Sequence, residues 1–349
     1  MLGSAYVRGA TLSNYAEVAD QVGLDGGAML RRFGIDRRAL TDPDLHIPVA
    51  SVVDLLEASA VQSGCETFGL RMAESRQLSD LGAVSLLITH QATMGDALMT
   101  LVEHRQLMNP ALVVDVSVHG DVVVVREELL VTGHGVIRQS YELALGVLYR
   151  MFRAVLGPRW RALSVNFLHA APADLAVHRR LFGPIYEFGS DFHGLTCSLA
   201  DLDAPNPSAD PKLARLAERY LRTLPNAEDR SLAQSVQKAI YLLLPMGAAT
   251  IGRVAASLSL NERTLQRRLA AEGSDFAGLL NEVRRELAHR YVANPATPLA
   301  RVAGLVGYAR QSSFNRWFAT EFGLAPTKWR RSEAVITATP DVLARETKA

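Results

Sequence analysis

The feature that most limits what this chain can fold into is a repeat in its last third. Ile251-Gly-Arg-Val-Ala255 returns as Leu299-Ala-Arg-Val-Ala303, 48 positions later. Arg253 pairs with Arg301, Val254 with Val302, and Ala255 with Ala303; the small alanines suit a helix lying close against the next. A turn follows each short helix, at Ser259-Leu-Asn261 in the first copy and Gly307-Tyr-Ala309 in the second. Gly307 supplies the left-handed backbone that such turns often require. A second helix then reads Glu262-Arg-Thr-Leu-Gln-Arg-Arg-Leu269 in one copy and Gln311-Ser-Ser-Phe-Asn-Arg-Trp-Phe318 in the other. With one residue inserted, Leu265 matches Phe314, Leu269 matches Phe318, and Arg267 matches Arg316. The apolar pairs stand at i and i+4 and so fix the inward face. Arg263, Thr264, Gln266 and Arg267 are left to solvent in the first copy, and Gln311, Ser312, Ser313 and Arg316 in the second.

Those side chains suit the reading of double-stranded DNA. Arginine can donate twice to guanine O6 and N7, and glutamine can serve adenine N6 and N7. Short hydroxyls and helix N-terminal amides can hold phosphates. An ordinary solvated helix balances its cations with glutamates, but the first copy has only Glu262 there and the second no acid before Glu321. Charge distribution supports the same reading. Residues 231–331 hold 14 Lys/Arg against 6 Asp/Glu, while the rest of the chain holds 23 against 30. The overall charge of +1 therefore hides a basic module beside an acidic one, and a polyanion is the usual partner of a basic module.

Between the copies, residues 276–292 read as one continuous helix ended by Asn294-Pro295. About 17 residues at ~1.5 Å each span about 25 Å. Such a spacer could set two recognition helices in successive major grooves, about 34 Å apart. With its closing Phe322-Gly-Leu-Ala-Pro-Thr-Lys-Trp-Arg330, this region resembles the DNA-binding domain of the AraC/XylS family, and Pro326 is expected to stop the last helix. The resemblance implies that Arg263, Gln266, Arg267, Gln311, Ser312 and Arg316 face bases. It also implies a regulator, activator more than repressor, that works with RNA polymerase and can form a homodimer.

Upstream, the elements are mixed. Helices are expected at about 49–62 (opened by Pro48), 81–88, 94–108 and 135–155, the last buried on more than one face. Residues 111–128 hold two β-branched runs around Gly120-Asp121, a hairpin pattern. Further strands are expected at 162–169, 185–188 and 195–198. The prolines of 203–211 close this part, and a short amphipathic helix follows, carrying Leu213, Leu216, Tyr220 and Leu224. The expected organisation is an α+β sensing and dimerisation domain over 1–205, then a linker with a short helix over 206–230. An all-α domain of two helix-turn-helix units joined by a linker helix covers 231–331, and a tail covers 332–349. The first part resembles the arabinose-binding-like sensor domain of many AraC-type regulators. The likeness rests on Asp42-Pro-Asp-Leu-His-Ile-Pro48, Phe68-Gly-Leu-Arg71, Gly157-Pro-Arg-Trp160, His169-Ala-Ala-Pro172, Phe182-Gly183 and Tyr186-Glu-Phe-Gly189.

No catalytic pattern stands out in the first domain. There is no HxH or HExxH spacing, no phosphate loop with its lysine, and no GxSxG elbow. No metal or cofactor is expected. An enzyme merely localised to DNA by its C-terminal domain is the alternative, and it would need such a constellation. Cys65 and Cys197 are too few for a disulfide framework and are expected as free thiols in a reducing cytoplasm. No run reaches the ~18 apolar residues of a membrane span, and the first residues lack an apolar signal core. An effector cavity is expected between the hairpin and the helix after it, suited to a small, largely hydrophobic molecule. Arg138, Tyr141 and His169 are polar candidates to line it, each with a structural role as the plainer explanation.

Overall fold

The computed structural model describes residues 6–131, 137–224, 232–258, 260–295 and 297–331. Among these the chain forms two compact units, one up to residue 224 and one from residue 232. The linker residues 225–231, the turn residue Ser259 and the tail 332–349 lie outside the described residues.

In the first unit, β1 (Tyr6–Arg8) pairs antiparallel with β2 (His46–Pro48). Between them lie α1 (Tyr15–Gln21) and α2 (Gly26–Arg32), the latter capped by Asp25, which accepts from the Ala28 amide at 2.9 Å. Pro48 both ends β2 and N-caps α3 (Val49–Ser63), one position earlier than the first helical turn expected of it. Next come α4 (Phe68–Glu74), α5 (Ala83–His90) and α6 (Met94–His104). Thr93 and Asp96 cap α6 reciprocally, at 3.1 and 3.2 Å. The helix expected to run to residue 108 breaks at Arg105 into a tight 3-10 turn.

The hairpin forms as expected: β3 (Leu112–His119) and β4 (Val122–Leu129) pair antiparallel, with Gly120 at φ +62 in the two-residue turn. The chain then gives α7 (Arg138–Leu156), β5 (Ser164–Phe167), α8 (Ala176–Phe182), β6 (Tyr186–Phe188), β7 (His193–Ser198), α9 (Leu199–Asp203) and α10 (Pro211–Thr223). The five-stranded sheet has the order β3-β4-β7-β5-β6, with only β5 and β6 parallel.

The long helix α7 carries the first core. It buries residues on opposite sides, among them Leu143, Leu145, Tyr149 and Phe152, because it packs on the sheet and also on α3 and α4. At the α4 crossing a β-carbon on Gly146 would stand 2.5 Å from Ala73 Cβ, so only glycine admits this approach. The helix α10 packs on α5 within this unit. Its buried face is Ala217 and Leu221; of the stripe picked out by apolar spacing, Leu213, Leu216 and Tyr220 are exposed and only Leu224, just past the helix, packs partly buried against the core. The true stripe uses small and partly buried residues, Ala214 and Ala217, that hydrophobic spacing underweights.

The second unit is helical throughout its described residues: α11 (Leu232–Leu243), α12 (Ile251–Ser257), α13 (Glu262–Ala271), α14 (Phe276–Ala293), α15 (Leu299–Leu305) and α16 (Gln311–Phe322), then residues 326–331. Asp275 caps α14, accepting from the Gly278 amide at 2.9 Å. One expectation is corrected here. Pro326 does not stop a helix; it opens the last helical turn, where its missing N–H costs nothing. The stop falls earlier, at Gly323, whose φ of +73 ends α16 in left-handed backbone.

Candidate nucleic-acid interface and ligand cavity

The helix pairs α12–α13 and α15–α16 are two copies of one arrangement. In the first, Val254, Ala255, Leu265 and Leu269 are buried; in the second, Val302, Ala303, Phe314 and Phe318 take the same places. The turns differ. Gly307 holds φ +79 in the second copy, whereas in the first Asn261 ends the turn and its Oδ1 accepts from the Thr264 amide at 2.8 Å. The helix α16 has no side-chain cap, since Arg310 stands at that position. The Gln311 and Ser312 amides therefore have no side-chain acceptor, as a phosphate-binding helix end requires, while the Ser313 amide donates to the Arg310 carbonyl at 3.1 Å.

Burial of those apolar pairs decides what faces out. Arg263, Gln266 and Arg267 are exposed on α13, and Thr264 is half-buried beneath its cap. Gln311, Ser312, Ser313 and Arg316 are all exposed on α16. None of these exposed side chains engages a described residue through a hydrogen bond or ion pair of its own. Arg268 and Arg310, exposed beside them, add two cations that repeat matching overlooked because neither has a counterpart in the other copy. Charge and exposure alone would have found them.

The helix α14 makes polar contacts to α11 on one side and to the second copy on the other. Towards α11, Glu282 accepts from Gln237 at 2.7 Å and Glu286 accepts from the Tyr241 hydroxyl. Towards the second copy, Asn281 accepts from Trp317 Nε1 at 3.0 Å, and Arg284 Nε donates to the Val306 carbonyl at 3.2 Å. The guanidinium of Arg284 also lies over the Tyr308 ring at 5.2 Å. With 18 residues, α14 is about 27 Å long.

In the first unit a cavity of about 130 Å³ lies between the hairpin and α7. Leu112 and Val114 of β3 and Glu127 and Leu129 of β4 form one wall. Ser140, Ala144 and Met151 of α7 form another. Arg138, Tyr141 and His169 are not among its lining residues. A helix turns about 100° per residue. Arg138 and Glu142 therefore project to the side of α7 away from Ser140, Ala144 and Met151.

There the three candidates join a buried polar cluster. Arg138 Nε donates to Glu142 Oε1 at 3.0 Å, and His169 Nε2 and His178 Nε2 stand 3.6 and 3.5 Å from the same oxygen. Burial above all pushes the His169 pKa down to about 4, so the ring is neutral near neutral pH. The Tyr141 hydroxyl donates to Glu128 Oε1 at 2.8 Å, and its ring stacks on His193. Cys197 is a free, buried thiol with its pKa pushed up to about 12 by desolvation; Cys65 is also free. Among the described residues no group of His, Cys, Asp and Glu is placed to hold a metal, and no helix is long and apolar enough to cross a membrane.

Two matched helix-turn-helix copies in a basic unit, with arginine and glutamine presented outward from each second helix, define a DNA-binding regulator. Residues 23–206 match the model of the arabinose-binding N-terminal domain of AraC transcription regulators, and residues 254–332 match a helix-turn-helix domain. The chain is 34% identical over 331 residues to the HTH-type transcriptional regulator VirS of Mycobacterium tuberculosis, covering 94% of this chain and 97% of that protein. It is 22% identical over 318 residues to the ornithine utilization regulator of Pseudomonas aeruginosa, covering 87% and 93%. A crystal structure of the transcriptional regulator CdpR of Pseudomonas aeruginosa aligns with a TM-score of 0.42 and 20% identity, over 90% of this chain and 98% of that one. The chain belongs to the AraC family of transcription regulators. Its α+β first unit and its double helix-turn-helix second unit are the sensor-type and DNA-binding domains of that family.

Proposed function

We propose that this chain is a ligand-gated, sequence-specific regulator, an activator that works with RNA polymerase as a cytoplasmic homodimer and carries no catalytic activity of its own. Arg263, Gln266 and Arg267 read one major-groove segment, and Gln311, Ser312 and Arg316 read the next, with Thr264 and Ser313 supporting at the helix starts. The observation that carries this reading is the matched outward presentation of Arg267 and Arg316 from two equivalent helices. The effector site is the cavity between the hairpin and α7. The Arg138–Glu142–His169 cluster, joined by the Arg138–Glu142 hydrogen bond, is assigned to the fold because none of its members lines that cavity.

Fluorescence-anisotropy titration tests the reading directly. The full chain is titrated against its own upstream DNA and a scrambled duplex, across a salt series. Binding at least ~10³ tighter to the first at physiological salt is the expected result. Equal, steeply salt-dependent binding to both would leave only a non-specific binder at these sites.

A further inference from the structure

Four residues that line the cavity of the first unit each hold a buried side-chain atom with no hydrogen-bond partner: Arg76 Nε, Arg105 Nε, Glu127 Oε2 and Ser140 Oγ. Glu127 is the sharpest case. It is 1% exposed, and its carboxyl has no hydrogen bond or ion pair among the described residues. Strand alternation sets it in the row Val123, Val125, Glu127, Leu129, whose other members are buried and apolar. A leucine or valine there would complete the core. A carboxyl left there is destabilising unless something meets it.

We propose that the cavity takes an uncharged, ring-sized, mainly apolar molecule bearing a single hydroxyl, which seats on Glu127 and Ser140. This rests on the ligand-gated reading above and names the chemistry of the ligand. The volume of about 130 Å³ is close to the ~150 Å³ of an apolar cavity that accepts benzene. Most of the wall is Val, Leu, Ala and Met, which favours an apolar body.

The polar groups choose among heads. Burial holds the Glu127 pKa up at about 8, so at neutral pH it is largely a carboxylic acid, with one O–H to give and a carbonyl to accept. Ser140 also gives and takes one bond each. A ligand hydroxyl, both donor and acceptor, complements this pair. An ammonium would enter beside Arg8, Arg76 and Arg105, with Asp80 the other lining carboxylate. A carboxylate would need the two-donor face of one of those arginines, and each guanidinium already gives at least one donor to a partner, with a single Nε left open on Arg76 and on Arg105. Arg8 pairs with Asp44 at 2.7 Å, Arg76 donates to the Ala10 and Thr11 carbonyls, and Arg105 donates to the Val102 carbonyl at 2.8 Å.

The test titrates the full chain calorimetrically with benzyl alcohol, benzylamine and benzoate at neutral pH, using wild type, Glu127→Gln and Glu127→Leu. Benzyl alcohol is expected to bind about tenfold more tightly than either charged analogue, the equivalent of one well-made hydrogen bond. Glu127→Gln, which keeps a donor and an acceptor, should retain that binding within about threefold. Glu127→Leu should weaken it about tenfold while the melting temperature of the unliganded protein holds or rises. That rise separates a lost seat from a lost fold. Tightest binding by benzylamine, abolished in Glu127→Gln, would replace the hydroxyl with an ammonium paired to an ionised glutamate. Tightest binding by benzoate, or alcohol binding unchanged in Glu127→Leu, would likewise overturn the assignment while leaving a ligand cavity in place. If none of the three binds, the cavity is not an effector site for ring-sized molecules, and the ligand-gated reading at this position falls with the proposal.

Discussion

Leu244, just past the end of α11, occupies the space that a side chain on Gly307 would need. Its Cδ1 lies 2.8 Å from the position of a Gly307 β-carbon, and Gly307 itself holds φ +79. The turn of the second helix-turn-helix is thus fixed by backbone handedness and by a neighbour from outside the motif. Gly307→Ala should destabilise the second unit by at least about 1–2 kcal/mol from the left-handed backbone, with Leu244 also having to give way to the new β-carbon, and Gly307→Val by more, since a branched side chain displaces Leu244 further. Gly304, three residues earlier in α15, meets nothing within 4 Å and has ordinary helical φ. Gly304→Ala should therefore stabilise by about 0.5–1 kcal/mol. Urea denaturation followed by tryptophan emission, with Trp317 and Trp329 reporting on this unit, gives both numbers. Equal effects at the two glycines would remove the claim.

Arg267 and Arg316 occupy equivalent, exposed places on α13 and α16. Arg267→Ala and Arg316→Ala should each cost about 1–3 kcal/mol on the preferred site and relax preference at a single base position. Arg268→Ala should weaken cognate and random DNA alike and lower the salt slope by about one. Competition anisotropy with single-base operator variants makes the distinction. Parallel losses on every sequence for all three would make them phosphate anchors alone.

Two desolvated carboxyls, the buried Glu127 and the half-buried Glu57, give the first unit a pH signature. Desolvation raises both Glu57 and Glu127 to about 8, from the ordinary 4.5 of a glutamate, with the Gln139 amide donating to Glu57 at 2.6 Å. Each binds its proton more tightly folded than unfolded. Their contribution is therefore complete below about pH 4.5 and is lost as the pH climbs through 8. His169, lowered to about 4, acts in the opposite sense, losing stability as the pH falls from 6.5. Between pH 6.5 and 8 the carboxyls act without that opposition. Glu127→Gln should flatten the fall in melting temperature over this window. A slope identical to wild type would mean that Glu127 does not titrate there.

Much of this was legible in the sequence because it was long or repeated. The hairpin around Gly120-Asp121 carries eight-residue β-branched runs on each side, and the paired Leu265/Leu269 and Phe314/Phe318 set the interface by spacing alone. The seven-residue helices α1, α2, α4 and α8 went unread, because two turns hold too few apolar positions to show a period. Pro326 was misread because proline marks a helix start as readily as a helix end; Gly323 was the better stop signal. The cavity lies where the hairpin and α7 meet, yet its polar groups were sought on the wrong side of that helix. The signal was present in Val122–Leu129, where alternation drops a glutamate into an apolar row.

The two recognition helices also differ at their starts, and that difference can be tested. Asn261 caps α13, so Asn261→Ala should cost about 1 kcal/mol of stability. At α16 the cap position holds Arg310, which makes no side-chain cap, although a serine there could accept from the first-turn amides. Arg310→Ser should therefore stabilise the second unit by about 0.5–1 kcal/mol. The same change occupies amides that would otherwise reach a phosphate and deletes a cation beside them. DNA affinity should fall by about tenfold on cognate and random duplexes alike, with a shallower salt slope. A stability gain with unchanged affinity would show that the open end of α16 does not touch the DNA backbone. A loss of both would show that Arg310 serves the fold.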